Sequence, residues 1–315
     1  NVGSRIYKIN IDSGKKIRDF GENGSIKATT LVAPMIYKNN LLIMSSRNIL
    51  IFDSQSGKFI NSIPIYKNRN FLGGIVWGGV ALDKNKGIVF ANTGNPQPSL
   101  YGVNRKGANR RSASVIAIDV NKKKILWDFQ DTIHDLWDYD IPSPPILHKL
   151  KINDQIYEVV ISLTKTGNTL MFERNSGKPI FDINYKKAPK SDIPGEDTSR
   201  FQIDLKKPEK FSKIEFSLSD IDQLSVIKQK EIKEKLENAK YGWYEPPSFD
   251  KDLITFAIHG GAEWAGGAID PIKQQLFIPV NNYPWKLKPY MISTELNTNF
   301  PNELKNFKKL YINKC

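Results

Sequence analysis

Four short segments gather the side chains of this chain that could do chemistry: Trp77 to Asn95, Asn104 to Ser114, His134 to Asp140, and Thr164-Lys165-Thr166-Gly167-Asn168. The third puts three carboxylates, a histidine and a tryptophan into seven residues, His134-Asp135-Leu136-Trp137-Asp138-Tyr139-Asp140, and then runs into Ile-Pro-Ser-Pro-Pro. A lone Asp in such a loop ordinarily bonds to local backbone. An acidic and aromatic run stopped by prolines at a strand end also suits a rigid active-site wall, with carboxylates for proton transfer. Other chemistries are excluded by composition. A single cysteine, Cys315, and three histidines leave no thiolate-held zinc or iron–sulfur cluster, no c-type haem attachment and no disulfide framework.

The elements that position these segments follow from repeats. One unit is a β-rich run, an acidic or amide residue, three residues, and then Gly or Lys: Ile9-Asn10 to Gly14, Phe52-Asp53 to Gly57, Ile118-Asp119 to Lys123, Phe172-Glu173 to Gly177. Each reads as strand, tight turn, strand. Their unequal spacing suits four-stranded propeller blades with loop insertions better than a solenoid. A second repeat is sharper. Trp77-Gly-Gly-Val-Ala81-Leu-Asp83, Phe90 and Asn95 align without a gap on Trp264-Ala-Gly-Gly-Ala268-Ile-Asp270, Phe277 and Asn282, as the same strand pair in two blades. The fold class is therefore all-β, a β-propeller over residues 1–315. One polar insertion, 184–247, interrupts it, with a helix expected from about Ser219 to Lys240 capped by Ser219 and Asp222, and with Ile221, Leu224, Ile232, Leu236 and Ala239 on its apolar face.

The formal charge of +13 comes from Lys residues spread along the chain, without an aromatic-interleaved basic stripe. It reads as a solvated basic surface, with no nucleic acid among the expected partners. No apolar run is long enough for a membrane span, and the opening residues carry no targeting signal.

Trp-Gly-Gly-Val-Ala-Leu-Asp at 77–83, Thr-Gly-Asn-Pro at 93–96, the 134–140 run, Lys-Thr-Gly-Asn at 165–168 and Gly-Gly-Ala-Glu-Trp at 260–264 occur in order, and 115–130 matches a tryptophan-docking strand with Ala117, Asp119 and Trp127. Together they resemble the pyrroloquinoline-quinone (PQQ) dependent dehydrogenases, closest to the membrane-associated glucose, quinate and polyol dehydrogenase branch. The resemblance implies an eight-bladed propeller, of which this chain would supply about five blades, with PQQ and Ca²⁺ on its axis. It implies oxidation of a sugar, polyol or other alcohol by hydride transfer, electrons passing to a quinone or other acceptor, and a periplasmic or membrane-associated setting. By the same resemblance Trp77 is the floor under the PQQ plane, Asn95 and Asp138 are Ca²⁺ ligands, Asp138 is the general base, and Lys165 is the cation beside the PQQ carbonyl oxygens. Trp264, Arg105 and Asn168 join the cofactor-binding set, and Asn109 has a weaker claim. The assignments make chemical sense: an alcohol hydroxyl needs a base as its carbon gives up hydride, and a carboxylate near a divalent cation stays ionised to serve as one.

Two departures from the family pattern are visible. The loop between Met44 and Asn48 is almost absent, where the branch carries an Asp-Asn pair for Ca²⁺, so the metal site is weaker, rebuilt from elsewhere or absent. The chain also stops at Asn313-Lys-Cys315, before the family's last blades, so it is expected to be a fragment that is poorly stable and inactive alone. The competing reading is a quinoprotein-like propeller that has lost its cofactor and serves as a binding scaffold.

Overall fold

A computed structural model describes residues 4–66 and 73–289. The order is β1 (Arg5–Tyr7), β2 (Ser25–Lys27), β3 (Met35–Tyr37), β4 (Asn40–Met44), β5 (Asn48–Asp53), β6 (Phe59–Pro64), β7 (Val80–Asp83), β8 (Ile88–Asn92), β9 (Ser114–Asp119), β10 (Lys124–Gln130), β11 (Ile146–Ile152), β12 (Gln155–Leu163) and β13 (Thr169–Glu173). Then follow β14 (Tyr185–Lys187), β15 (Phe201–Ile203), helix α1 (Val226–Leu236), β16 (Ala239–Lys240), β17 (Asp252–Thr255), β18 (Ala268–Asp270), β19 (Gln275–Phe277) and β20 (Trp285–Leu287). Strands β3 to β6 and β7 to β10 form two four-stranded antiparallel meanders, and β11 to β13 form a third sheet of three. These are propeller blades, and the fold is all-β.

The first repeat is a single turn used again and again. The acidic or amide side chain accepts backbone N–H groups two and three residues on, as Asn10 Oδ1 does from Asp12 and Ser13 and Asp53 Oδ1 from Gln55 and Ser56. The residue four positions on closes the turn with positive φ: Gly14, Gly57, Lys123 and Gly177. Asp83 to Gly87 and Asp270 to Gln274 are further copies. Gly177 has a second reason for having no side chain, since a Cβ there would lie 2.6 Å from the Trp127 indole. Trp127 reaches from β10 to this turn of the next blade, donates to the Arg174 carbonyl at 3.0 Å and packs on Phe90 and Phe172, which is the docking role expected for it.

The cores lie between blades. One joins β4, β5 and β6 to β8 and β9 through Leu42, Ile49, Ile63, Val89 and Ile116, and the next joins β8 and β9 to β12 and β13 through Phe90, Val115, Val160 and Phe172. Burial of both faces explains the near-continuous apolar runs of β8 and β9. Arg174, mostly covered, crosses the same boundary and pairs with Asp83 at 3.0 Å.

The second repeat holds in its strands. Ala81 pairs with Phe90 as Ala268 pairs with Phe277. The insertion is less regular than its periodicity predicts. Its helix is shorter, Val226–Leu236, with Ser225 rather than Ser219 at its N-cap, and is preceded by a 3₁₀ turn at Leu218–Ile221 that Ser217 caps, its N–H donating to Asp220 at 2.9 Å. The extended backbone of Ser225 separates the two pieces, and β16 pairing with β17 ends the helix four residues early. Ile221, Ile232, Leu236 and Ala239 do pack against Phe216 and Phe256, while Leu224 is 39% exposed. The Met44–Asn48 connection is a tight turn closed by Ser45 N–H to the Asn48 carbonyl. Cys315 lies outside the described residues.

Candidate active site

A cleft of about 470 Å³ lies where the loops of several blades meet, lined by Trp77, Asn95, Asp138, Asp140, Lys165, His259, Glu263, Trp264 and Asn281. Its walls are backbone surfaces pressed together at glycines. A Cβ on Gly78 would fall 1.3 Å from the Pro142 carbonyl oxygen, and one on Gly261 would fall 2.2 Å from that of Lys165. Pro144 packs on both Gly79 and Gly266, so the two copies of the tryptophan repeat close on one proline rail. The rail is pinned by Asn92, whose side chain donates to the Ser143 carbonyl at 2.7 Å, and by the Ser143 hydroxyl, which donates to the Glu263 carbonyl at 2.7 Å.

Within the 134–140 run the structure divides labour. His134, Asp135, Trp137 and Tyr139 turn inward: His134 bonds the Gly107 carbonyl, Asp135 accepts the Trp137 N–H at 2.8 Å, and Trp137 stacks on Tyr139 and donates to the Glu245 carbonyl. Asp138 and Asp140 alone reach the cleft. Asp138 adopts φ +66, a left-handed conformation that Asp tolerates better than most residues. Lys165, almost fully buried, joins the two carboxylates, with Nζ 3.1 Å from Asp138 Oδ2 and 2.6 Å from Asp140 Oδ1. The other oxygen of Asp140 accepts the Trp77 indole N–H at 2.9 Å, which holds the ring in place. The pair with two carboxylates raises the Lys165 pKa against the opposing effect of burial, so this amine is cationic at neutral pH.

The remaining polar groups are less satisfied. Burial pushes the Asp138 carboxyl up, with Lys165 opposing, and pushes Glu263 up to about 7. Glu263 Oε1 and Asn281 Oδ1 are buried without a hydrogen-bond partner. Asn95 is held through its amide nitrogen, donating to Ser99 at 2.5 Å, so its oxygen is the end left for a ligand.

Of the expected site residues, Trp77, Asn95, Asp138, Lys165 and Trp264 line this cleft, Trp264 being 70% exposed. Arg105 and Asn168 do not. The Arg105 guanidinium is committed to the Pro98 and Asp135 carbonyls and to Asn109 Oδ1, so both Arg105 and Asn109 brace the loop behind the cleft. Asn168 is buried, donating to Asp131 Oδ1 at 2.8 Å, and Thr166 donates to the other oxygen of Asp131, which fixes the turn that presents Lys165. Asp140, Glu263, His259 and Asn281 were not assigned from sequence. The first two lie inside recognised motifs. Asn281, and not Asn282, the repeat's counterpart of Asn95, lines the cleft because Gly261 pairs with Asn281, whereas its counterpart Gly74 pairs with Asn95; this one-residue shift turns the neighbouring side chain into the cleft.

The family description "PQQ: Glucose/ethanol/alcohol dehydrogenase, beta-propeller domain" matches residues 61–309. The chain belongs to this family. Its relatives include quinoprotein glucose dehydrogenase A of Acinetobacter calcoaceticus, 28% identical across 86% of this chain and 39% of the relative. Another is the glycerol dehydrogenase large subunit of Gluconobacter thailandicus, 28% identical across 85% and 41%. The chain thus spans about two fifths of the length of the curated relatives it matches. The quinohemoprotein alcohol dehydrogenase of Comamonas testosteroni superposes with a TM-score of 0.58 at 17% identity, covering 90% of this chain and 42% of that one, which shows the shared propeller fold.

Among the described residues no cluster of three or more His, Cys, Asp or Glu could hold a metal ion by itself. The cleft nonetheless fits a hard cation in the donors it offers. Asp138, Asp140 and Glu263 face the single ammonium of Lys165, and two of the available oxygens are buried and unpartnered. Ca²⁺ takes six to eight oxygens, more than the protein shows here, so part of its shell would come from water or a bound group. The cleft also fits a flat anionic cofactor: it carries two indoles, a buried cation and room for a ring system.

Proposed function

We propose that this chain carries the cofactor floor, general base and charge-stabilising cation of a PQQ-dependent dehydrogenase that oxidises a sugar, polyol or other alcohol. The observation that carries the reading is the Trp77–Asp140–Lys165–Asp138 chain of contacts, which joins an aromatic floor, a buried cation and a part-exposed carboxylate in one cleft. PQQ, when bound, supplies the two-electron acceptor chemistry.

The residues do the rest. Trp77, locked by its bond to Asp140, offers a flat face that orients a planar ring. Asp138, with 28% of its side chain exposed beside otherwise buried neighbours, is the group placed to accept a hydroxyl proton at its carboxylate oxygen. Lys165 holds both carboxylates in place and puts fixed positive charge where negative charge would develop on a neighbouring oxygen, with no reorganisation at the moment of reaction. Asn95, Asp138, Glu263 and Asn281 are the oxygens that would hold Ca²⁺, which in turn would keep Asp138 ionised as a base. With the Met44–Asn48 loop reduced to a tight turn, Glu263 and Asn281 stand as the rebuilt part of that set. A quinone acceptor and a periplasmic, membrane-associated setting complete the reading. Among the described residues no helix is long and apolar enough to cross a membrane.

The cofactor-free scaffold is the weaker alternative, because a scaffold has no use for a buried lysine between two carboxylates under an indole. Titration of the full-length protein with PQQ and Ca²⁺, followed by quinone absorbance and by dye reduction with glucose, quinate, polyols and simple alcohols, separates the two. Cofactor uptake with substrate-dependent dye reduction is expected. No uptake at micromolar PQQ would sink the dehydrogenase reading.

A further inference from the structure

A second cavity, about 650 Å³, lies in the insertion and shares no lining residue with the cleft. Three polar atoms on residues that line it are buried without a partner: Lys210 Nζ, Ser212 Oγ and Trp243 Nε1. All three can donate, and two of them, the ammonium and the indole N–H, can only donate. Buried donors left unpaired each carry a desolvation penalty, and three around one cavity describe the complement of a ligand that offers only acceptors.

Charge agrees with this. The ammonium groups of Lys186 and Lys210 lie 4.6 and 4.9 Å from the Trp243 ring, and neither has a carboxylate within ion-pairing distance among the described residues. The carboxylates that line the cavity are mostly spoken for, Asp204 by Lys206 and Asp220 by Lys213, while Glu215 is exposed. Burial lowers the Lys210 pKa, and Asp131 behind the wall, then Asp204 and Glu215 on the cavity, offset part of that from beyond bonding distance; the Asp131 oxygens already accept from Thr166 and Asn168.

We propose that this cavity binds a small oxyanion, a phosphate or a carboxylate, through Lys210 Nζ, Ser212 Oγ and Trp243 Nε1. An oxyanion brings several acceptor oxygens and the directly bonded negative charge that neither Lys186 nor Lys210 finds among the described residues, and its bond to the buried ammonium is of the strong, charge-assisted kind. The backbone adds a reason for the site's position. Gly167 packs against Ser212, with a Cβ there only 2.7 Å from both Ser212 oxygens, so the cavity wall and the Lys165 turn are in direct contact.

The test is isothermal titration of the full-length protein, free of PQQ and Ca²⁺ and in a buffer without oxyanions, with inorganic phosphate and separately with acetate. Saturable one-to-one binding of either is expected, and the stronger of the two identifies the oxyanion type. Lys210→Met should weaken it by about ten- to a hundredfold, the worth of one charge-assisted hydrogen bond. Trp243→Phe keeps an aromatic face but loses the N–H together with the five-membered ring of the indole, and should weaken binding by a smaller factor. Lys228→Met, which removes an exposed charge on α1, should leave affinity unchanged. If Lys210→Met fails to fold, Ser212→Ala carries the test, with a severalfold loss expected. Absence of saturable binding of both anions overturns the proposal, and so does an equal loss in Lys210→Met and Lys228→Met, which would mark a general surface-charge effect. Because no cofactor is present, either result stands apart from the dehydrogenase reading.

Discussion

Lys165→Met probes the centre of the cleft most directly. The substitution keeps an unbranched side chain one atom shorter than lysine and removes the ammonium that Asp138 and Asp140 share. The two losses differ in size. Asp138 is 28% exposed, so water screens its pair and that contribution is about 1 kcal/mol or less. Asp140 is 2% exposed on its side chain and keeps only the Trp77 indole N–H. Removing one partner of a buried pair costs about 3–5 kcal/mol, and the surviving indole bond places Asp140 near the lower end, so a total of about 3–4 kcal/mol is expected.

The pH dependence fixes the cause. In the wild type the Lys165 pKa is raised in the folded state, so its stabilisation is fully present below the ordinary lysine pKa and lost only above it; across pH about 5 to 8 it is flat. In the variant Asp138 loses the cation that opposes the effect of its burial, so its folded pKa stands further above its unfolded one, the folded state binds more protons and the variant gains stability as pH falls. Urea unfolding of the cofactor-free full-length protein, followed by tryptophan fluorescence, should therefore show a gap between the two proteins that is largest near pH about 8 and narrows toward pH about 5. Lys165→Arg should recover most of the loss. A gap below about 1 kcal/mol, or one that does not change with pH, would refute the view that this ammonium is the counter-charge of the pair.

Asp138→Asn should lower dye reduction by about two to four orders of magnitude, the usual worth of a general base, while PQQ uptake followed by absorbance changes little. Chelation of divalent cations should abolish turnover, and added Ca²⁺ should restore it; activity that survives exhaustive chelation would count against the cation role of Asn95, Glu263 and Asn281. Asp131→Ala should lose about 2–3 kcal/mol in urea unfolding, because the buried Thr166 hydroxyl and Asn168 amide each lose their carboxylate acceptor and keep only bonds within the turn, and it should also weaken PQQ binding by loosening the turn that carries Lys165. Gly78→Ala should abolish soluble expression or cost several kcal/mol, since the new methyl meets backbone at Pro142. Gly107→Ala, with nothing within 4 Å, should cost only about 1 kcal/mol from its positive φ.

Much was legible in the sequence because local chemistry repeats. The turn that begins with Asn10, Asp53 or Asp119 needs one acceptor side chain and one residue of positive φ four positions on, and both are written in neighbouring letters. The strands between turns show apolar burial directly, and the gapless Trp77 and Trp264 repeats predict the same strand register, which the pairing of Ala81 with Phe90 and Ala268 with Phe277 reproduces. The motif order of Trp77, Asn95, Asp138, Lys165 and Trp264 was enough to name the residues that meet in one cleft.

What the sequence alone determined, then, is the blade unit, the family and the residue types of the site, because each depends on contacts within a few residues. Only the tertiary structure decided which side chain of each motif faces the cleft. Asp140 rather than Asp135 joins Lys165 because the chain alternates inward and outward through the left-handed turn at Asp138. Asn281 rather than Asn282 lines the cavity because a strand pairing slips by one residue. Arg105 and Asn168 sit in the right loops yet are consumed by backbone carbonyls and by Asp131. Such choices are made by partners dozens of residues away, where a shift of one position in register reverses the face that a side chain presents.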